Sequence, residues 1–533
     1  MKSATSQSLG APRASAQQGD AKDRRIAELE ATLAATEARW AARYQALLDQ
    51  LRLAIEQRFG PSTEKYRIEQ RDLFFDEAET LVEAEDAETL AESAPETDET
   101  TPTRKRRRGG RVALPSELPR IEIIHELPEH ERHCGEDGRE LAVIGQEISE
   151  QLDVIPAKIQ VIRHVRLKYA CKQCEEGVVQ APMPPQPLPK SNASPALLAT
   201  VATAKYADGL PLYRQERQFT RLGVALSRNT LARWMLGAGE LIKPLIEQLR
   251  AQLREGSLIH MDETTVQVNT EPGRKASSPS YMWVSRGGPP KQQVVLFDYD
   301  PSRAGAVPRR LLEGFGGVLL TDGYEGYAQS VREYGLTHAG CWAHARRKFV
   351  EAQKLQPKGK TGRADKALTL IARLYRIERE GRTLTDEQRL ALRQEHSRPV
   401  IDKIHAWLEK SLAQVPPKGG IGRALHYLHG QWPKLVRFLE DGRIPLDNNP
   451  AENAIRPFVI GRKNWLFSHS PSGAAASAAL YSLIETAKAN GLEPYDHLLA
   501  VFTRLPAAKT EADLHALLPW RQEQSLAVRF ADL

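Results

Sequence analysis

Leu258-Ile-His-Met-Asp262 and Val318-Leu-Leu-Thr-Asp322 are two short apolar runs, and each ends in an aspartate. Short apolar runs bounded by polar residues are typical of strands buried in a sheet. Three more such runs lie at Tyr281–Ser285, Gln293–Phe297 and Thr337–Cys341. Helices are expected after the fourth and fifth strands. Three strands followed by strand–helix alternation predict a mixed α/β core.

This core is expected to be interrupted along the chain. Residues 257–349 carry the five strands, residues 350–440 have a wholly helical pattern typical of an insertion, and the core returns at residues 441–490. The order of elements is that of an RNase H-like core. The returning part contains the polar turn Asp447-Asn-Asn-Pro-Ala-Glu-Asn453, in which Glu452 begins a helix just after a proline.

Asp262, Asp322 and Glu452 are the candidate catalytic and metal-binding residues. A lone aspartate at a strand end is usually a cap or turn residue, but two at the ends of neighbouring strands are less usual. Mg²⁺ prefers hard oxygen ligands and keeps several waters, so a few carboxylates suffice to bind it. Two such ions roughly 4 Å apart can activate a nucleophile and stabilise the leaving oxygen of a phosphodiester. The three acids therefore predict a site for two Mg²⁺ or Mn²⁺ ions.

Three other glutamates compete with Glu452 for the third position. Glu263 follows Asp262 in a strand, where successive side chains point to opposite faces. Glu325 could reach the site if a helix starts directly after Asp322. Glu485 lies among apolar helix residues, where a structural salt bridge is expected. These positions leave Glu452 as the preferred third carboxylate.

Basic residues near the acids are candidates for holding the DNA backbone, and aromatic residues alternate with them, as base stacking would require. Core packing is an equally good explanation for each aromatic residue taken singly. The basic candidates are Arg346, Arg347, Lys348, Arg456, Arg462 and Lys463. The aromatic residues are Trp342, Phe458, Trp465 and Phe467.

Residues 195–256 are predicted to be a helical DNA-binding region. Leu212–Leu222 and Ser227–Met235 form a plausible helix-turn-helix, because Gly223 can end the first helix in a left-handed conformation and Ser227 is a good N-cap for the second. The second helix offers Arg228, Asn229 and Arg233 to base edges or phosphates. An ordinary helical hairpin is the alternative interpretation.

Residues 112–178 are predicted to form a small β module, and the Pro-rich residues 179–194 a linker. Within residues 159–169, Val165, Leu167 and Tyr169 alternate with His164, Arg166 and Lys168. Such alternation indicates a strand with one apolar and one basic face. Arg166 and Lys168 are therefore candidate phosphate contacts.

The N-terminal part is expected to be mostly extended or helical. Residues 1–22 are polar and predicted to be disordered, and residues 23–70 carry an apolar stripe typical of a coiled coil, or of a helix packed on its own protein. Residues 71–111 read as a linker, acidic and then basic. Its basic end has Arg106, Arg107 and Arg108, which are DNA-binding candidates or simply solvated charges. At the other end of the chain, residues 491–533 are predicted to be helical.

Composition sets the broad class. The 533 residues exceed what one core usually holds, and 41% are hydrophobic with 27% charged, which is typical of a globular multidomain protein. No run of 18 apolar residues and no N-terminal apolar segment occur, so neither a membrane span nor a secretory signal is expected. Four cysteines are too few for a disulfide scaffold. We therefore expect a cytoplasmic protein.

Several long blocks resemble the insertion-sequence-66 transposase family: HMDETTV, LLTDGYEGY, GCWAHARRKF and DNNPAENAIRPFVIGRKNWLFSHSPSGA. The zipper-like helix, the β module and the helix-turn-helix are also similar and in the same order. The resemblance implies an RNase H-like catalytic core with a helical insertion, in which Asp262, Asp322 and Glu452 are the DDE acids. It further implies metal-dependent nicking of element ends and attack of the freed 3′-hydroxyl on target DNA. The implied partners are nucleoid DNA, a second copy through the N-terminal helix, and helper proteins from the same element.

The β module departs from the family pattern. The family often carries two Cys-x-x-Cys pairs there and the module is described as a zinc finger, but the first pair here reads Cys134-Gly-Glu-Asp137 while Cys171 and Cys174 are intact. Asp137 replaces a sulfur ligand, which is less usual in structural zinc sites. His133 or His130 could substitute for it, and a metal-free β module is the alternative.

Two other functions fit parts of this pattern. One is a catalytically inactive, DNA-binding regulator descended from a transposase, against which the presence of all three acids argues. The other is a different RNase H-like nuclease, such as a junction resolvase.

Overall fold

The computed structural model describes residues 25–37, 39–40, 43–44, 139, 158–170, 178–356 and 361–522. Several sequence predictions lie outside these residues. They are the disorder of residues 1–22, the linker of residues 71–111, Arg106, Arg107, Arg108, and the candidate zinc ligands Cys134, Asp137, Cys171 and Cys174.

The described elements fall into four groups along the chain. A small hairpin consists of β1 (Lys168–Ala170) and β2 (Val178–Gln180). Four helices follow: α1 (Pro195–Tyr206), α2 (Leu212–Arg221), α3 (Arg228–Leu241) and α4 (Lys243–Arg254). The central part contains β3 (Leu258–Gln267), β4 (Pro279–Gly287), β5 (Val294–Asp300), α5 (Ala306–Leu311), β6 (Val318–Thr321), α6 (Ala328–Tyr334), β7 (Thr337–Gly340) and α7 (Trp342–Lys354). The rest is helical: α8 (Arg363–Glu380), α9 (Asp386–Leu392), α10 (Arg398–Leu412), α11 (Gly420–Leu435), α12 (Asn449–Trp465), α13 (Pro471–Ala489), α14 (Pro494–Arg504) and α15 (Glu511–His515).

A five-stranded mixed sheet with the order β5-β4-β3-β6-β7 forms the centre of the fold. The first three strands are antiparallel neighbours, while β6 lies parallel to β3 and β7 lies parallel to β6. In the parallel pair, Leu258 faces Val318 and His260 faces Leu320. Continued by two residues, this register brings Asp262 level with Asp322. The five predicted strands are thus confirmed, and their order explains why two distant aspartates meet.

Helix α13 covers the free edge of β5. Alternate backbone amides of that strand donate to α13 side chains: Val295 to the Thr486 hydroxyl at 3.0 Å and Phe297 to the Ser482 hydroxyl at 2.7 Å. An uncovered edge strand presents unpaired amides that favour pairing with another chain. The two hydroxyls satisfy these amides while the rest of the helix face packs on the sheet.

The helices between α7 and α12 have an apolar cluster of their own. It joins α8, α10 and α11 to the sheet end through residues such as Leu320, Trp342 and Phe349. Arg393 is buried there, makes two hydrogen bonds to the Glu378 carboxylate, and donates to the carbonyls of Phe438 and Asp441. The prediction of an all-helical segment at residues 350–440 is confirmed wherever that segment is described.

Two helices joined by a turn lie where the helix-turn-helix was predicted, an arrangement that the alternative helical hairpin shares. Helix α2 ends at Arg221, and Gly223 adopts a positive φ of 82° that a residue with a side chain would rarely tolerate. Ser227 caps α3 by accepting a hydrogen bond from the backbone amide of Thr230 at 3.2 Å. Both turn residues therefore act as the sequence predicted.

The β module differs from the prediction. A strand was expected where residues 164–169 alternate, but in the described residues strand pairing begins only at Lys168, and Lys168–Ala170 pairs antiparallel with Val178–Gln180. Residues 158–167 have no regular secondary structure, and Val161, Val165 and Leu167 are exposed. Alternation alone cannot make a strand without a pairing partner, and in the described residues a partner exists only for the last three positions.

The N-terminal segment is helical at residues 25–37, 39–40 and 43–44, and its apolar Ile26, Leu29 and Leu33 are exposed. The helix prediction is therefore confirmed over those residues. None of the helices in the described ranges is long and apolar enough to cross a membrane.

Candidate active site

Asp262 and Asp322 are held at the same end of the sheet by backbone hydrogen bonds. Asp262 lies on β3, and its Oδ1 accepts from the amide of Glu263 at 2.8 Å. Asp322 directly follows β6, and its Oδ1 accepts from the amide of Tyr324 at 2.8 Å. Each carboxylate is thus fixed by one amide close to its own position in the chain.

Asn448 brings the third acid to this end of the sheet. Its side-chain amide donates to the Met261 carbonyl at 2.8 Å, so its Oδ1 must accept from Nδ1 of His260, 3.0 Å away. The Asn448 backbone amide donates to Sγ of Cys341 at 3.2 Å. Because α12 begins at the next residue, Glu452 lies in the first helical turn beside β3. Sequence reasoning identified this stretch as a polar turn but missed the role of Asn448.

Asp322 and Glu452 are close enough to Asp262 for their charges to affect its pKa. Burial raises the pKa of Asp262 to about 8, and the negative charges of Glu263, Glu452 and Asp322 contribute to the rise. A carboxylate whose charge is opposed by burial and by neighbouring carboxylates favours a bound cation. The cluster therefore has the charge of a cation site.

Glu263 is close enough for its charge to raise the pKa of Asp262, but its carboxylate has hydrogen-bond partners of its own. Its carboxylate accepts from the Arg303 guanidinium at 2.5 Å and from the Tyr327 hydroxyl at 2.7 Å. The prediction that neighbouring strand residues cannot both serve one metal is consistent with this arrangement. Glu263 instead anchors the segment that follows Asp322, because Tyr327 lies in the short 3-10 helix there.

His344 lies beside Glu452 and was not among the predicted site residues. Its Nδ1 is 3.5 Å from Oε1 of Glu452, a long distance for a hydrogen bond. Both atoms are buried and have no hydrogen-bond partner among the described residues. The other Glu452 oxygen is 3.6 Å from a guanidinium nitrogen of Arg347. The His344–Glu452 pair therefore has unsatisfied ligand atoms.

Cys341 completes a group whose ligand atoms lie within 4.8 Å of those of His344 and Glu452. Burial, together with the charges of Asp447 and Glu452, raises the pKa of its thiol well above the usual value. The residue is 2% exposed. A thiol that is buried and protonated serves packing better than metal binding, so Cys341 acts as a small apolar side chain of the core.

The other competing glutamates lie elsewhere. The Glu325 carboxylate is 77% exposed and lies 3.7 Å from the amine of Lys434. Glu485 is buried on α13 and accepts from Lys488 at 2.9 Å, the structural salt bridge that its apolar neighbours predicted. Neither side chain contributes to the raised pKa of Asp262.

The predicted DNA-binding residues fall into exposed and buried groups. Exposed side chains are Arg166, Lys168, Arg228, Asn229, Arg233, Arg347 and Lys463. Lys348 and Arg456 are half-buried. Arg346 is only 5% exposed, and Arg462 donates to the hydroxyls of Thr264 and Thr265 on β3 at 3.2 Å. Arg346 is therefore not presented on the surface, whereas Arg462 is half-buried and hydrogen-bonded to β3.

The aromatic candidates divide in the same way. Trp342 and Phe458 are fully buried, so core packing, the alternative interpretation, is correct for both. Trp465 is half-buried and stacks edge-on against Phe458. Phe467 is 44% exposed and remains the aromatic candidate most accessible to a base.

The chain is similar in sequence to known transposases over most of its length. Residues 190–476 match the family model described as Transposase IS66 family, and residues 131–175 match the zinc-finger binding domain of transposase IS66. Residues 46–123 match the model described as Transposase C of IS166 homeodomain, and residues 482–520 match the IS66 C-terminal element.

Two relatives from Sinorhizobium fredii (strain NBRC 101917 / NGR234) illustrate the likeness. The uncharacterized protein y4qI is 36% identical over 422 residues, which cover 77% of this chain and 77% of that protein. The uncharacterized protein y4hP is 31% identical over 502 residues, which cover 90% of this chain and 85% of that protein. With more than half of its residues matched by one family model, and with relatives of this coverage, the chain belongs to the IS66 family of transposases.

Proposed function

We propose that this protein is a DDE transposase that cleaves phosphodiester bonds at transposon ends and joins the freed 3′ ends to target DNA. Asp262, Asp322 and Glu452 are its metal-binding acids. The observation that carries the proposal is the convergence of these three carboxylates at one end of the sheet, where Asp322 and Glu452 both raise the pKa of Asp262.

We further propose that the central sheet is an RNase H-like core. Its strand order, β5-β4-β3-β6-β7, with the three antiparallel strands first in sequence and two parallel strands after them, supports this assignment. Residues 257–349 and 441–490 form the two parts of the core, and residues 350–440 are the helical insertion. The insertion explains the long span between Asp322 and Glu452.

The side chains present fit divalent cations. Carboxylate oxygens are the ligands that Mg²⁺ and Mn²⁺ prefer, and the Glu452 Oε1 atom is buried without a hydrogen-bond partner among the described residues. A bound pair of such ions supplies a more acidic nucleophile and stabilises the leaving oxygen. Asp262, Asp322 and Glu452 would hold the ions, and His344 lies beside Glu452 with its Nδ1 3.5 Å from the Glu452 Oε1.

Other residues of the chain position the DNA. Arg347 and Lys348 lie on α7 next to Glu452 and carry exposed or half-buried charges that suit phosphates. Arg228, Asn229 and Arg233 lie at the start of α3, the second helix of the helix-turn-helix, where side chains reach base edges. We assign element-end recognition to that helix, and we assign pairing of two copies to the N-terminal helix, whose apolar stripe is exposed.

The N-terminal β module is proposed to bind zinc. Its match to a zinc-finger model supports this, and Cys134, Asp137, Cys171 and Cys174 are the candidate ligands. With one carboxylate among three sulfur ligands, the site would differ from an all-sulfur finger. The module's basic Arg166 and Lys168 lie on its described, exposed part.

A labelled element-end fragment tests the central proposal. Purified protein with Mg²⁺ or Mn²⁺ should nick the fragment at the element boundary. Asp262→Asn, Asp322→Asn and Glu452→Gln should each abolish nicking and leave DNA binding nearly intact, because each keeps the shape and removes a ligand charge. Glu325→Gln is the matched control and should keep substantial activity, since its carboxylate points to solvent and Lys434.

Two results would contradict parts of the proposal. If Glu325→Gln abolishes nicking while Glu452→Gln nicks normally, the assignment of Glu452 as the third acid is wrong. Binding without any cleavage by the wild-type protein would favour a regulatory role, and cleavage that depends on branched structure rather than end sequence would favour a resolvase.

A further inference from the structure

Helix α11 of the helical segment lies across the turn that follows Asp322. Tyr427, Gln431 and Lys434 are spaced four and three residues apart, so they share one face of this helix. Lys434 reaches Glu325, 3.7 Å away, in the same turn. The α11 face that carries Tyr427, Gln431 and Lys434 therefore lies against the turn that follows Asp322.

Gly323 shows how close this approach is. A Cβ atom placed on Gly323 would lie 2.9 Å from the Tyr427 hydroxyl oxygen and 3.2 Å from the Gln431 side-chain nitrogen. Real Cβ atoms essentially never have a neighbour at 2.9 Å and rarely have one at 3.2 Å, so a residue larger than glycine would push against both polar groups. The residue after Asp322 is therefore compatible with this helix face because it has no side chain.

Helix α11 is also held rigidly at its end. The carbonyl of Leu435 accepts from the Trp342 indole at 2.8 Å, and Trp342 is fully buried at the start of α7, the helix that carries His344. Side chains on such a fixed element can position a substrate more accurately than side chains on a loop.

The chemistry of the two polar ends suits an anionic ligand. Burial, with the negative charge of Asp322, raises the pKa of the Tyr427 hydroxyl, which therefore stays protonated and can donate a hydrogen bond. The Gln431 side-chain nitrogen, 3.2 Å from the Cβ position of Gly323, is a second neutral hydrogen-bond donor beside the same turn. Two neutral donors thus lie beside a metal-binding carboxylate.

We propose that Tyr427 and Gln431 contact the substrate, with the Tyr427 hydroxyl donating to a non-bridging oxygen of the scissile phosphate and Gln431 orienting that phosphate against the Asp322 turn. The inference rests on the proposed function and assigns part of the DNA site to the helical segment. Neutral donors hold a phosphate oxygen without competing with the metal ions for the carboxylates.

A crosslinking experiment tests the contact without needing cleavage. Tyr427→p-benzoylphenylalanine is placed in an Asp322→Asn protein, bound to a labelled element-end fragment and irradiated. The expected crosslink maps within one or two nucleotides of the cleavage position. His429→p-benzoylphenylalanine is the matched control, because His429 is exposed on the same helix and pairs with Glu409 on another face. DNA binding without a crosslink at position 427 overturns this inference alone, whereas absence of binding overturns the proposed function with it.

Single-turnover cleavage supplies the second test. Tyr427→Phe keeps the ring and removes the donor, so the cleavage rate should fall on the order of ten- to a hundredfold with unchanged DNA affinity. Tyr334→Phe is the control, since that hydroxyl donates to the Arg309 carbonyl away from the acids, and its rate should stay near wild type.

Phosphorothioate DNA distinguishes the loss of a hydrogen bond to the phosphate from a nonspecific loss of activity in the Tyr427→Phe protein. Sulfur is a poor acceptor, so replacing the contacted non-bridging oxygen should slow the wild-type protein and leave the Tyr427→Phe protein with little further loss. Equal effects of sulfur on both proteins, for both stereoisomers, would refute the hydrogen bond, as would a wild-type rate for Tyr427→Phe on the normal fragment.

Discussion

Asp262→Asn should stabilise the protein in the absence of metal. The folded state raises the pKa of Asp262 from 3.8 to about 8. The folded state favours protonated Asp262 more strongly than the unfolded state does. Asp262 therefore adds to the free energy of unfolding below about pH 4, and this addition is lost as the pH rises through 8. Each pH unit between these two pKa values lowers the free energy of unfolding by up to about 1.4 kcal/mol, which gives an upper limit of about 6 kcal/mol. Asparagine is neutral at every pH and avoids this loss.

The assay is urea-induced unfolding of both proteins in metal-free buffer between pH 5 and pH 9. The advantage of Asp262→Asn in free energy of unfolding should grow with pH and level off above pH 8. Mg²⁺ should reduce it, because an ion that binds the ionised cluster stabilises only the wild-type protein.

Asp298→Asn is the control of opposite sign. Asp298 accepts two hydrogen bonds from Arg250, at 2.7 and 3.2 Å, and both side chains are mostly buried. Asp298→Asn removes the carboxylate charge and leaves the buried Arg250 guanidinium without its ionic partner. It should therefore destabilise the protein at every pH between 5 and 9. If Asp262→Asn is no more stable than the wild type at pH 8.5, the acids do not form the repulsive cluster on which the metal site depends.

Four further outcomes are expected. Asn448→Ala should lower both stability and cleavage rate, since it removes the contacts that hold α12 on β3; an unchanged rate in the element-end assay would show that Glu452 is positioned by other means. Replacing Arg228 and Arg233 together with alanine should weaken element-end binding and lower its dependence on salt concentration by about two units of slope, measured by titration at several salt concentrations; an unchanged slope would mean that both are solvated charges. Deleting residues 23–59 should leave a folded protein of smaller mass by light scattering, unless the full-length chain is itself monomeric at micromolar concentration. Metal analysis should find near-stoichiometric zinc in the full chain, and Cys171→Ser should lose it. A wild-type protein without zinc would refute the proposal that the N-terminal β module binds zinc.

The sheet could be predicted from sequence because its strands are short apolar runs with sharp ends. Asp262 and Asp322 were identified for the same reason: each is the first charged residue after such a run. Gly223 and Ser227 were identified because they act locally, through backbone conformation and capping. A residue's structural role can be predicted from the sequence when that role depends only on the neighbouring residues in the chain.

The missed residues act across long distances. Asn448 and His344 matter because α12 and α7 meet at the sheet end, and Tyr427 matters because α11 crosses the Asp322 turn. No local pattern distinguishes them from ordinary polar residues. Arg346 shows the opposite error, since its basic neighbours suggested a surface role and the helix turns it inward.

The contact between Asn448 and Met261 joins residues 187 positions apart. Closing so long a loop is entropically costly and slow, so it comes after the local helices and strands have formed. During synthesis, Asp262 and Asp322 leave the ribosome well before Glu452 does. A nascent or truncated chain therefore carries two of its acids without the third. Under the proposed function, a chain that ends before residue 452 therefore lacks one of the three acids that cleavage requires.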